Sequence, residues 1–138
     1  SDGSLLFFTE YGGDNVKVAN LSGSNTTLIN GTFAINAGQT RRLVGNGGGV
    51  SEGNYNTAKI DQPTGLALWE DAGVLKGIFV TSYNRHVVNF VNNTASAITI
   101  GNESVGVGKL GWVFGDGGAY YNGNNNPGNL TNKYKPNV

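Results

Sequence analysis

The sequence predicts an all-β fold of antiparallel strands, made from two tandem copies of one unit and open-ended within the chain. Three observations predict it. Short apolar runs alternate with polar residues, and no window sustains the 3.6-residue apolar period of a helix. The 138 residues include 23 glycines and abundant asparagine but only 13% charged side chains, which is turn-rich composition. Finally, the stretch from Leu5 to Asn20 returns between Gly77 and Asn92. An offset of 72, with no gap, places Thr9 on Thr81, Tyr11 on Tyr83, Val16 on Val88 and Asn20 on Asn92.

Taken in order, Leu5 to Thr9 is an apolar run, expected to be a buried strand, and Glu10 to Asp14 is a turn with two glycines. Asn15 to Ala19 alternates as a second strand, and Leu21 to Asn25 is a polar turn. Thr26 to Ile29 is a third strand, which Thr32 to Ile35 either extends or follows. Arg41 to Val44 is a fourth β segment. It runs into Gly45-Asn46-Gly47-Gly48-Gly49, a loop expected to need positive φ at several positions. A long loop reaches Gln62, and Pro63 to Trp69 is a strand opened by a proline. After a turn at Glu70 to Gly73 the second copy follows as Val74 to Ser82, His86 to Val91, Ala97 to Ile100 and Leu110 to Phe114. Gly115-Asp116-Gly117-Gly118 matches the first glycine loop at an offset of 70, and Lys135-Pro136-Asn137 matches Gln62-Pro63-Thr64 at 73. Such drift is expected where insertions and deletions sit in loops. The period is about 70 residues. The chain thus reads as one β-repeat domain over 1–138, with a first repeat of about 1–62 and a second of about 63–138, and with 5–20 equivalent to 76–92.

Composition excludes several function classes. Lys plus Arg and Asp plus Glu are both nine, so no net positive charge is available to hold nucleic acid or an anionic membrane. The absence of cysteine removes disulfides, thiolate zinc sites and thiol catalysis. No apolar run approaches the roughly 18 to 20 residues of a helical membrane span. No signal peptide is visible, so any leader is expected to have been removed or to lie upstream.

The order of these elements resembles the NHL-type β-propeller repeat. Pro63-Thr64-Gly65-Leu66-Ala67-Leu68 is similar to that family's Pro-x-Gly-hydrophobic-Ala opening. The stretch from Ile78 to Val88 resembles its second strand, polar corner and third strand, with Ser82 standing where the family has aspartate. Leu43-Val44-Gly45-Asn46-Gly47-Gly48 and Val113-Phe114-Gly115-Asp116-Gly117-Gly118 resemble its glycine-rich end. The resemblance implies propeller-blade-like repeats. A blade cannot bury both faces alone, and two blades do not close the usual ring of four to eight. The Pro-x-Gly strand occurs once in full, and the chain starts and stops out of register with its own repeat. This is expected of a segment excised from a longer chain or of open ends completed by other subunits.

Few side chains nominate chemistry. Six Asn-x-Ser/Thr sequons occur, at Asn20, Asn25, Asn30, Asn92, Asn102 and Asn129, where chance would supply about three. Asn20 pairs with Asn92 and Asn30 with Asn102 at the same offset of 72, the pattern expected of a surface that carries glycan; turn preference of Asn and Thr is the simpler reading. His86 is the only histidine, its repeat equivalent is Asp14, and the sequence nominates no nucleophile or orienting carboxylate for it. Asp116 is a candidate calcium ligand at a position where the first copy has the neutral Asn46. The glycine loops lack the Lys-Ser/Thr and the helix start that phosphate binding requires. Among the aromatics, Tyr120 and Tyr121 in a polar loop are the candidates for ligand contact, while Trp69 and Trp112 border apolar strands and read as core or subunit contacts.

No catalytic residue, cofactor site or metal site is assigned, and an enzyme is not expected. The leading expectation is a glycosylated structural protein outside the cell or on its surface. Copies of the chain would assemble into a fibre or layer through strand edges and blade-to-blade contacts. The alternative is a ligand-binding propeller module, for glycan or protein, within a larger or oligomeric ring.

Overall fold

The computed structural model describes residues 3–115, whose strands all pair antiparallel. The first unit comprises β1 (Leu5–Glu10), β2 (Asn15–Asn20), β3 (Thr26–Leu28), β4 (Phe33–Ile35) and β5 (Thr40–Val44). A connecting stretch carries β6 (Gly53–Asn54) and β7 (Pro63–Asp71). The second unit comprises β8 (Val74–Ser82), β9 (Val87–Asn92), β10 (Ile98–Ile100), β11 (Glu103–Val105) and β12 (Lys109–Phe114). One sheet has the order β1-β2-β5, and the other the order β6-β12-β9-β8-β7. β3-β4 and β10-β11 are separate hairpins. Among the described residues no sheet closes into a barrel.

The two units repeat down to their registers. Phe7 faces Val18 and Thr9 faces Val16, as Phe79 faces Phe90 and Thr81 faces Val88. β5 crosses β2 with Lys17 opposite Arg42 and Val16 opposite Val44, and β12 crosses β9 with Asn89 opposite Trp112 and Val88 opposite Phe114. The irregularity between these pairs is therefore the same bulge in both units. The hairpin β3-β4 is joined by residues 29–32 and β10-β11 by residues 101–102. Two residues are lost in that turn, and this is where the offset falls from 72 to 70.

The corners after β1 and β8 are single 3-10 turns, Tyr11–Gly13 and Tyr83–Arg85. Each ends on a left-handed residue, Asp14 at φ 52° and His86 at φ 51°. The glycine that follows β5 or β12 lies against this corner. Gly45 (φ +94°) and Gly115 (φ +86°) would place a Cβ 2.3 Å from the Asp14 carbonyl oxygen and 2.2 Å from that of His86. Close backbone approach at positive φ explains why both copies carry glycine there.

Several expectations change. Thr32 to Ile35 does not extend β3 but returns beside it as β4, with Leu28 opposite Phe33. β11 was not expected, because Glu103 and Ser104 resemble turn residues. It pairs with β10, and Val105 is buried against the second sheet. β7 runs to Asp71, and the turn narrows to Ala72 (φ 49°) and Gly73 (φ 78°), the left-handed pair that suits a two-residue hairpin. Leu5 to Thr9 is not a buried strand. β1 lies at a sheet edge, with Leu5 and Phe7 on a packed face and Leu6 and Phe8 on an open one. An apolar run of this length does not reveal which of its faces is covered.

The core lies between the sheets. The face of the first unit that carries Val16, Val18, Ile35 and Leu43 packs on the face of the second that carries Ile78, Val80, Val91 and Leu110. A smaller cluster, Phe90, Val105 and Val113, lies on the opposite face of the second sheet. Phe90 fits there because Gly77 has no side chain: a Cβ at Gly77 would lie 2.2 Å from its ring. The first unit has Leu5 and Val18 at these two positions. The volume moves from one strand to its neighbour and the sum stays similar.

Candidate functional site

The two corners, 72 residues apart in sequence, converge on one short stretch of the connection, Asp61-Gln62. In the first corner the Gln62 backbone N–H donates to Asp14 Oδ1 at 2.9 Å, and the Tyr11 hydroxyl donates to Gln62 Oε1 at 2.9 Å. In the second corner Arg85 Nε and Asn84 Nδ2 donate to Asp61 Oδ2 at 3.1 and 3.3 Å. The Tyr83 N–H donates to the Gln62 carbonyl at 3.1 Å. Behind this clasp, Asn89 Nδ2 donates to Ser82 Oγ at 2.8 Å, and both residues are buried. Gln62 adopts φ 46°, a left-handed backbone that lets one residue face both corners. Asp61 is nearly buried, so its pair with Arg85 is better shielded than an exposed ion pair. The connection thus supplies the carboxylate that the second corner binds, and the corners have an architectural task.

The paired sequons also have one. Asn20 and Asn92 are buried. Asn92 Nδ2 donates to the carbonyls of Ser96, Val105 and Gly106 at 2.8, 2.9 and 3.2 Å, while its Oδ1 accepts from Thr94 N and Oγ1 at 2.8 and 2.9 Å. Asn20 does the same with Ser24 and Ile35 carbonyls and with Ser22 N and Oγ. Each asparagine ties the end of a central strand to the hairpin that folds over it. A glycan would have to replace a proton that these buried bonds use. Buried and bonded in this way, Asn20 and Asn92 do not present an amide for glycan attachment. Asn25, Asn30 and Asn102 are exposed. Asn30 sits in the four-residue turn at φ 51°, and Asn102 sits in the two-residue turn, so the two are not in equivalent geometry. Asn129, Tyr120, Tyr121 and Asp116 lie outside the described residues.

Apolar faces that the described residues leave uncovered are the third feature. On the first sheet, Leu6 and Phe8 occupy the positions of Ile78 and Val80 and are 51% and 36% exposed, whereas Ile78 and Val80 are 1% and 0% exposed. Thr40 is exposed where Leu110 is buried. On the second sheet, Val88, Ile100 and Phe114 are only partly buried where Val16, Leu28 and Val44 of the first unit are buried. Trp69, 38% exposed, extends that face, its ring 6.0 Å from that of Phe90. Trp112 packs partly buried against the main core.

His86 is exposed and, with Thr64, Tyr83, Val88 and Phe114, lines a shallow cleft of about 420 Å3. Among the described residues no three His, Asp or Glu side chains group closely enough to hold a metal ion. Among the same residues no helix is long and apolar enough to cross a membrane, a statement about helices only. Among the described residues one carboxyl is shifted: the Lys17 ammonium, bonded at 2.8 Å, and the Asn15 amide hold Glu10 below its usual value. No family model, no curated protein and no solved structure matches the chain.

Proposed function

We propose that the chain is a non-enzymatic structural protein of the extracellular space or cell surface, whose copies assemble into a fibre or layer through their β-repeat units. The observation that carries this reading is the way the two units pack. The joint between them is head to tail: one face of the first unit meets the opposite face of the second. A joint of that kind, unlike a two-fold one, leaves an unused face of each type at the two ends and can be extended indefinitely. The resemblance to NHL-type units supports the reading, since blades of that kind need neighbours to bury their faces. The clasp at Asp61-Gln62 and the buried Asn20 and Asn92 serve the same end, because they hold the units in a fixed relation. Glycan, where present, is assigned to the exposed Asn25, Asn30 and Asn102.

The apolar cleft beside Tyr83 and His86 favours a second reading, a ligand-binding module within an oligomeric ring. Light scattering of the purified chain over a range of concentrations separates the two. Mass that keeps growing with concentration supports the structural reading. A closed small oligomer of fixed number favours the module, and a particle that stays at the monomer mass of 14.4 kDa contradicts both.

A further inference from the structure

We propose that the uncovered face of the second unit, centred on Trp69, Phe79, Ile98 and Phe114, binds a second copy of this chain by the face of its first unit that carries Leu6 and Phe8. The inference rests on the self-assembly reading and names its joint.

The internal joint is the template. Inside one chain, the first unit offers the Phe7, Val16 and Val18 face, and the second covers it with Ile78, Val80, Val91 and Leu110. Applying the same step once more puts Phe79, Val88 and Phe90 in the role of the first set. The role of the second set falls to Leu6, Phe8, Ala19 and Thr40 of the incoming copy. The strands present these residues in matching register, since Leu6 faces Ala19 as Ile78 faces Val91. The first face is open where its internal counterpart is closed, with Leu6 51% exposed against 1% for Ile78. On the second, Val88, Ile100 and Phe114 are partly exposed where Val16, Leu28 and Val44 are buried, around a Phe90 that is already buried. Paired apolar faces of this kind on one molecule mark contact surfaces.

The charges on the incoming face are compatible with the joint. Lys17 and Arg42 replace Asn89 and Trp112, but Lys17 Nζ is bonded to Glu10 at 2.8 Å and Arg42 Nη1 to Asn46 Oδ1 at 3.1 Å. Both cationic ends are thus paired within the first unit, and the methylene stems remain to cover apolar surface. Across the internal joint Asn93 reaches from the second unit to the first, its Oδ1 accepting from the Ile29 N–H. Its equivalent is Leu21, 63% exposed, which offers an apolar contact in place of a polar one. With Val91 and Leu110 exchanged for Ala19 and Thr40, and only Val80 for the larger Phe8, the joint between molecules buries less apolar surface than the joint within one. Assembly is therefore reversible and dependent on concentration.

The experiment uses two full-length variants, Phe8→Lys and Ile98→Glu, each of which places a charge in one of the two faces. Each alone should remain monomeric at concentrations at least about tenfold above those at which the wild type assembles. Mixed in equal amounts, they should form a particle of twice 14.4 kDa and grow no further, because one good face of each kind remains. Circular dichroism and a cooperative urea transition check that each variant is folded, and Leu6→Lys and Trp69→Glu replace any that is not. If folded single variants assemble as the wild type does, or the mixture stays monomeric, this joint is wrong while self-assembly stands. If the wild type itself stays monomeric, both are wrong.

Discussion

Asn92→Ala removes a buried side chain that makes five polar contacts, three from Nδ2 to carbonyls and two into Oδ1. The methyl that remains can satisfy none of these partners, and the Val105 contact is buried. Each hydrogen bond is worth about 1 kcal/mol net, and an orphaned buried group costs about 1–3 kcal/mol more. Because the three Nδ2 contacts share two protons, the sum is not five full bonds, and a loss of about 3–5 kcal/mol is expected. Asn102→Ala destroys the neighbouring sequon at an exposed position and should cost less than about 0.5 kcal/mol. Urea unfolding of both variants, made without a glycosylation apparatus, measures the difference. A loss for Asn92→Ala below about 1 kcal/mol, equal to that for Asn102→Ala, would refute the structural role of the buried asparagine.

Three further outcomes are expected. Gly77→Ala puts a methyl 2.2 Å from the Phe90 ring and 2.7 Å from the Val91 carbonyl oxygen, and should destabilise by about 2–3 kcal/mol. Gly77→Leu combined with Phe90→Val copies the Leu5 and Val18 pair of the first unit, so its urea midpoint should recover well beyond the sum of the single changes. Asp61→Ala leaves Arg85 and Asn84 without their shared acceptor, for a loss of about 1–3 kcal/mol. Adding Arg85→Ala to it should cost little more, whereas additive losses would mean that the clasp is not a unit. Glu10 is held below its unfolded value, so its contribution is complete above the unfolded pKa and disappears as pH falls through the lower folded one. The stability gap between wild type and Glu10→Gln should therefore be largest at neutral pH and close in acid. A gap that widens on acidification would reverse the sign.

The sequence was legible where the information is local. Strand pairs follow from apolar alternation and from the residues shared at the offset of 72, and the two-residue shift could be assigned to a loop. The turn residues Gly45 and Gly115 likewise announced a tight backbone. The clasp was not legible, because Asp61-Gln62 meets Asp14 and Arg85 across separations of 48 and 24 residues that no local pattern encodes. Leu6 and Phe8 read as core because a run of apolar residues is the same whether its outer face is covered or open. At Asn20 and Asn92 the Asn-x-Ser/Thr sequence has two readings, because a hydroxyl two residues after asparagine serves both a glycan acceptor and a side-chain-capped turn. One trace did distinguish them. Ser24 returns as Ser96, beyond the three residues that a glycosylation signal requires, and the carbonyls at these two positions accept from Asn20 and Asn92.

In the proposed assembly the step between units inside the chain is also the step between chains. Helical reconstruction from electron micrographs of the assembled protein measures that step directly. Stacked sheets lie about 10 Å apart, so a chain that adds two of them should advance the assembly by about 20 Å, with all molecules pointing the same way. Opposed molecules related by a two-fold axis, or closed rings of fixed number, would contradict it.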